Sequence, residues 1–200
     1  MTKPDNNLRE RILEASRAML LSDGYKSLSM RKIAKDTGVS ATSIYLHFEN
    51  KDHLLHTLME QAIEKLSDSL ESALVDTGDP ADRIEAIIRG YVRFAMDNQM
   101  EYQVIYLVRT EEMARYPKEK FRKVRKPFEL LAKAISEGVE IGLLVDDHPL
   151  ITAYSIWGQL HGIVSVVMNN RLDNRIKRDE FIESSIEHIL HGFLLRASVN

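Results

Sequence analysis

Two hundred residues, 44% hydrophobic and 28% charged, suffice for one domain of moderate size or for a small head on a larger body. The chain has no cysteine, which excludes a disulfide framework and a thiolate nucleophile or ligand; its N-terminal MTKPDNNLRE has no apolar signal core, so a cytoplasmic location is expected. A net charge of −3 argues against indiscriminate coating of nucleic acid, yet residues 1–52 hold nine Lys and Arg against seven Asp and Glu, while residues 53–200 carry a net −5.

Asp5 to Asn7 can cap a first helix with Leu8, Ile12, Ala15 and Met19 on one face and Arg9, Arg11 and Arg17 on others, ending at Ser22-Asp23-Gly24. From the N-cap hydroxyl of Ser29 to Asp36, Met30, Ile33 and Ala34 form one buried face of a second, short helix. Gly38 supplies a tight turn, Val39 drops into the core, and Ser40 caps a third helix predicted to run through Phe48. A helix, a compact glycine turn and another helix form the unit whose second helix enters the DNA major groove. Ala41, Thr42 and Ser43 are small, so the backbone can come close while hydroxyls and a methyl read base edges. Tyr45 and His47 follow, Lys51 opens the next helix where a phosphate is favoured, and Arg31 and Lys32 add charge from the second helix.

Leu-x-x-Gly-Tyr at 21–25, Ser29 to Ala34, Gly38-Val39-Ser40 and Tyr45-x-His47-Phe48-x-x-Lys51-x-x-Leu54 resemble the N-terminal domain of TetR-family transcriptional regulators, without a gap from about residue 8 to residue 56. The resemblance implies an all-α homodimer. Residues 1–52 would form a three-helix DNA-binding head, and residues 53–200 a helical bundle for effector binding and dimerisation. Position by position it makes Thr42, Ser43 and Tyr45 base or groove contacts and Arg31, Ser40, Tyr45, His47 and Lys51 phosphate contacts, with Ser29 and Ala41 completing the DNA-facing set. Ala41 departs from the larger polar residue of some relatives, which leaves fewer hydrogen bonds to specify its base pair.

From Asn50 the series Leu54, Leu58, Ala62, Leu66, Leu70 and Leu74 predicts a long helix before Gly78, with Leu55, Met59 and Ile63 as a second stripe. Such a helix could couple body to head. Asp79-Pro80 restarts a helix carrying Ile84, Ile87, Ile88, Tyr91 and Ala95, and residues 100–113 predict a shorter one. Six of the nine residues from Lys118 to Lys126 are basic, but Phe121, Val124, Phe128, Leu131 and Ile135 share one face, which favours a solvated helix face over a site for a bulky anion such as an acyl-CoA. Pro149 to Met168 carries no formal charge, and its scattered polar groups favour a helix buried in protein over a membrane span.

Within that run Gly158 and Gly162 would let a second helix approach closely. Surplus apolar surface on the last two helices predicts a four-helix dimer interface built from Leu160, Ile163, Val167, Ile182, Ile186, Ile189 and Phe193. The Trp-Gly-x-x-His-Gly pattern resembles one C-terminal subclass of the family, and Tyr91, Phe94, Tyr106, Phe128, Trp157 and His161 would suit an apolar or aromatic ligand, although ordinary core roles fit each residue singly. His53 with His56 and His188 with His191 have ligand spacing, but two histidines do not make a metal site, and no cofactor is expected. No phosphate loop, His-Glu-x-x-His or nucleophile elbow is present. The expected function is therefore a ligand-released repressor of a palindromic operator. A regulator controlled by a protein partner, and a helical enzyme with a DNA-binding head, remain the alternatives.

Overall fold

The computed structural model describes residues 6–75, 77–106 and 121–194, and among the described residues every regular element is an α-helix. In chain order these are α1 (Asn6–Ser27), α2 (Met30–Thr37), α3 (Ala41–Tyr45), α4 (Lys51–Ala73), α5 (Pro80–Asp97), α6 (Gln99–Tyr106), α7 (Phe121–Glu140), α8 (Pro149–Met168) and α9 (Arg178–Leu194). The chain divides into two compact units, one from Met1–Lys65 with Asn98–Lys123, the other from Leu66–Asp97 with Val124–Asn200.

In the first unit, α1, α2, α3, the start of α4, and α6 surround one core. Ile12, Leu13, Leu20, Ile33, Ile44, Phe48, Leu54, Leu55 and Val104 are almost or fully inaccessible there. This unit passes the expected boundary at residue 52, because Leu54, Leu55, Leu58 and Val104 bury their side chains with the helix-turn-helix residues. α1 also outruns its expected stop at Gly24. The glycine is non-helical (φ 75°, ψ 172°), and one more turn follows it to Ser27. α6 covers the start of the predicted 100–113 helix, and residues 107–113 lie outside the described residues.

The second unit packs α5 against α8 and α9, and α8 against α9. Asp79 Oδ1 accepts from the Asp82 backbone N–H at 3.0 Å, the expected cap of α5, and Ile84, Ile87, Ile88, Tyr91 and Ala95 are buried as the periodicity predicts. Arg89 fastens α5 to α9 with paired bonds to both carboxylate oxygens of Glu183 at 2.7 and 2.8 Å, and donates through Nε to Glu85 at 2.6 Å. These bonds hold the Glu183 carboxyl below the usual range and raise the Arg89 guanidinium. Arg83 makes a further ion pair with Glu137 of α7.

Candidate nucleic-acid interface

Each end of the helix-turn-helix has a local cause. Ser29 is extended (φ −142°, ψ 144°) and its Oγ accepts from the Lys32 N–H at 3.2 Å, starting α2. Gly38 adopts φ 71°, a left-handed conformation in which its N–H and that of Val39 satisfy the last carbonyls of α2. Ser40 then caps α3, its Oγ accepting from the Ser43 N–H at 3.1 Å and lying 2.8 Å from the Ser43 hydroxyl. Arg11 of α1 donates to the Thr37 carbonyl, so a cation sits at the negative end of α2.

Ile44 is 0% exposed and pins α3 to the core, while Tyr45 is 54% and Leu46 76% exposed. Thr42 is exposed beside them, so the leading turn and outer face of α3 are open. The α-helix ends at Tyr45, short of the expected Phe48: the Leu46 N–H still bonds to Thr42, but those of His47 and Phe48 converge on the Ile44 carbonyl, and Phe48 turns into the core. Arg31 and Ser40 are exposed, Ser29, Ser43, His47 and Lys51 half-buried, and Ala41 packs partly against the core. The cap bonds of Ser29 and Ser40 give both hydroxyls a structural duty as well. Leu46 is absent from the expected DNA-facing set, although its spacing of four from Thr42 is the signal that places it on that face.

In the second unit the structure brings Tyr91, Phe128, Trp157 and His161 together with Tyr154. The Trp157 indole N–H donates to the Tyr91 hydroxyl at 3.1 Å, Phe128 stacks on Tyr154 with centroids 4.3 Å apart, and Trp157 stacks on His161 at 5.4 Å. Phe94 is buried on α5. Tyr106 belongs to the first unit, where it lies against Tyr102 at 4.9 Å. Tyr154 was missing from the expected set, though it lies three residues before Trp157 on the same helix.

Of the residues expected at the dimer interface, four are already packed within the chain. Leu160, Ile163, Ile186 and Ile189 are all at most 8% exposed within the single chain, because α8 and α9 spend these side chains on their own core. Val167 and Ile182 are half-buried, and the Phe193 side chain lies outside the described ones. Within the single chain 28% of the apolar stretch of α8 is buried. Its open side carries Leu150, Ile151, Ser155, Gly158 and Gly162, and a Cβ built on either glycine meets nothing within 4 Å. Among the described residues α8 is the one helix long and apolar enough to cross a membrane. Beside it, toward α9, a groove of about 320 Å³ is lined by Asp146, Thr152, Ser155, Gln159 and His188.

The described part of the basic segment is locally neutralised: Lys123 pairs with Glu64, Lys126 with Glu71 at 2.9 Å, and Arg125 with Glu129 at 4.0 Å. Lys118, Lys120 and the side chain of Arg122 lie outside what is described. No group of three or more potential metal ligands occurs among the described residues.

A helix-turn-helix head with an open second helix, followed by a helical unit, defines a class of DNA-binding proteins. Residues 12–58 match the bacterial regulatory proteins of the tetR family, and residues 84–189 match the tetracyclin repressor-like C-terminal domain. The chain belongs to the TetR family of DNA-binding transcriptional regulators. It is 30% identical over 101 residues to an HTH-type transcriptional regulator of Mycobacterium tuberculosis, a match covering 50% of this chain and 43% of that one. The chain thus spans less than half the length of the curated relatives it matches. Its fold is similar to that of a Rhodococcus protein of unknown function, with a TM-score of 0.79 and 22% identity over 95% of this chain and 97% of that one. It is also similar to the transcriptional regulator FadR of Bacillus subtilis, solved in complex with stearoyl-CoA, with a TM-score of 0.76 and 19% identity over 92% and 98% of the two chains.

Proposed function

We propose that this regulator is a cytoplasmic homodimeric repressor that occupies a palindromic operator and is released by a small, largely apolar ligand. The observation that carries the DNA half of the reading is the orientation of α3: Ile44 is fully buried while Thr42, Tyr45 and Leu46 face outward. Thr42 and Tyr45 offer hydroxyls to base edges, Leu46 and the Thr42 methyl offer apolar contact to thymine, and Arg31, Ser40, His47 and Lys51 supply phosphate contacts. Two such heads would read half-sites about 34 Å, or a multiple of it, apart.

For the partner, the open side of α8 is the support. A second copy would cover Ile151 and Ser155 and come closest at Gly158 and Gly162, where the absence of side chains lets helix backbones approach. The aromatic cluster around Trp157 supports an apolar ligand held by few polar groups, with the Tyr91 hydroxyl and the His161 ring as the candidates. The stearoyl-CoA complex of FadR makes an acyl thioester the competing ligand class, against which stands the local neutralisation of Lys123, Arg125 and Lys126. Ligand release requires only that the ligand bind the non-DNA-binding state more tightly, by a free energy equal to the shift it produces.

The test is selection of operator duplexes from a random pool, followed by titration of that complex with fatty acids, aromatic acids and acyl-CoAs. Trp157 is the only tryptophan of the chain, so its fluorescence reports occupancy of the cluster directly. Loss of operator binding in step with the Trp157 signal is the expected result. A fluorescence change without release, or release without a fluorescence change, separates the ligand site from the switch.

A further inference from the structure

At the junction of α1 and α4 one tyrosine organises two charged neighbours. Tyr25 follows the break at Gly24, and its ring packs partly against the core of the first unit. The Lys51 ammonium lies 3.6 Å from the centroid of that ring, and the Tyr25 hydroxyl donates to Asp52 Oδ1 at 2.7 Å. Asn50 fixes the start of α4, its Oδ1 accepting from the His53 N–H at 2.8 Å, so the backbone under Lys51 and Asp52 is set.

Lysine is a compact charge on a flexible stem, and a phosphate contact from an unguided lysine forfeits rotamer freedom on binding. The aromatic face removes part of that cost beforehand, because a cation over a ring at this distance is attracted to its quadrupole. The adjacent Asp52 would oppose a phosphate at the same place. By accepting the Tyr25 O–H, one of its oxygens is turned to the α1 side and its charge is partly compensated.

We propose that Tyr25 is a positioning residue for DNA binding: its ring holds the Lys51 ammonium ready for a backbone phosphate, and its hydroxyl draws Asp52 aside. The proposal rests on the reading of Lys51 as a phosphate contact, and the two can fail separately. The probe is a random-sequence duplex, titrated by fluorescence anisotropy over a series of salt concentrations with the full-length wild type, Lys51→Ala, Tyr25→Leu, Tyr25→Phe and the Tyr25→Leu/Lys51→Ala double variant.

Lys51→Ala lowers the salt slope by about 0.9, one phosphate equivalent. Tyr25→Leu weakens binding about two- to five-fold, the span of an exposed cation–π contact, and lowers the slope in the same direction. In the Lys51→Ala background Tyr25→Leu adds nothing, and Tyr25→Phe, which keeps the ring but releases Asp52, binds between the wild type and Tyr25→Leu; binding by Tyr25→Phe equal to the wild type overturns the role of the hydroxyl. A destabilised head would instead weaken both backgrounds alike. An unchanged slope in Lys51→Ala removes the phosphate contact and the proposal with it. A normal slope loss in Lys51→Ala with unaltered or tighter binding by Tyr25→Leu, or with equal losses in both backgrounds, overturns the proposal and leaves the phosphate contact standing. Should Tyr25→Leu not fold, the wild type itself decides. The Lys51 ε-methylene protons are shifted upfield by the ring in free and DNA-bound protein, and their return to ordinary positions on adding the duplex refutes the arrangement.

Discussion

α3 and α8 each turn one side inward and leave another open, but they are built for different neighbours. α3 is five residues long, held by Ile44, and its open side carries hydroxyls, a phenol and the Leu46 side chain. α8 is twenty residues long, held by Ala153, Ile156, Leu160, Ile163 and Val164, and its open side sets two glycines, Gly158 and Gly162, beside Ile151, Ser155 and Gln159. A face that must distinguish base pairs needs donors, acceptors and a few methyl contacts at defined points. A face that meets another helix along its length needs close approach, which glycine allows and hydrogen-bonding side chains would obstruct.

The contrast is broken most forcefully at Gly158. Gly158→Leu should weaken the dimer by about 2–6 kcal/mol, since overpacking of about 1–3 kcal/mol occurs once in each protomer. The isolated chain has open space there and should keep or slightly gain stability from the better helix former. Sedimentation equilibrium reads the first effect and thermal unfolding at high dilution the second; an unaltered dimer moves the interface off this side of α8.

Ile44→Ala, on the inner side of α3, should cost about 2–5 kcal/mol of stability in denaturant unfolding, with DNA binding lost as the head loosens. Ser40→Ala is smaller, about 1 kcal/mol, because only the α3 cap bond is removed, and Ser40→Gly should recover most of that stability. A melting temperature insensitive to both would mean that the cap contributes nothing to the fold.

The smallest effect concerns the α5–α9 fastening. Glu183 titrates below its ordinary value of 4.5 because Arg89 hydrogen-bonds its carboxylate. A depressed carboxyl contributes stability above the unfolded value and loses it as pH falls through the folded one. Wild-type stability should therefore carry a component that declines below about pH 4.5 and is missing in Glu183→Gln, and its size is limited by the exposure of the pair. Identical pH profiles would show that the fastening is energetically silent.

The head was readable residue by residue because its determinants are local: a cap hydroxyl at Ser29 and Ser40, a left-handed glycine at 38, and apolar spacing over one or two turns. The end of α3 was not, since its termination at Tyr45 depends on Phe48 being drawn into a core that includes α4 and α6. In α8 and α9 an apolar side chain can serve its own chain or a neighbour, and composition does not distinguish the two. That is why Leu160, Ile163, Ile186 and Ile189 were assigned outward and lie inward. Gly158 and Gly162, singled out from the same sequence, do lie on the open side, because glycine so close in a helix is explained by approach and not by burial. Phe128 and Trp157 were expected to share a pocket and do meet, but the stacking of Tyr154 on Phe128 depends on how α7 lies on α8, which no local pattern encodes.

The central claim, that the outward side of α3 reads base pairs, is met most directly by one ratio. Affinity for a selected operator is divided by affinity for a scrambled duplex of equal length, for wild type and for Tyr45→Ala at the same salt concentration. The ratio should fall by on the order of tenfold or more in the variant, with scrambled binding and melting temperature little changed. A ratio equal to that of the wild type would remove Tyr45 from readout and leave α3 without the role given to it.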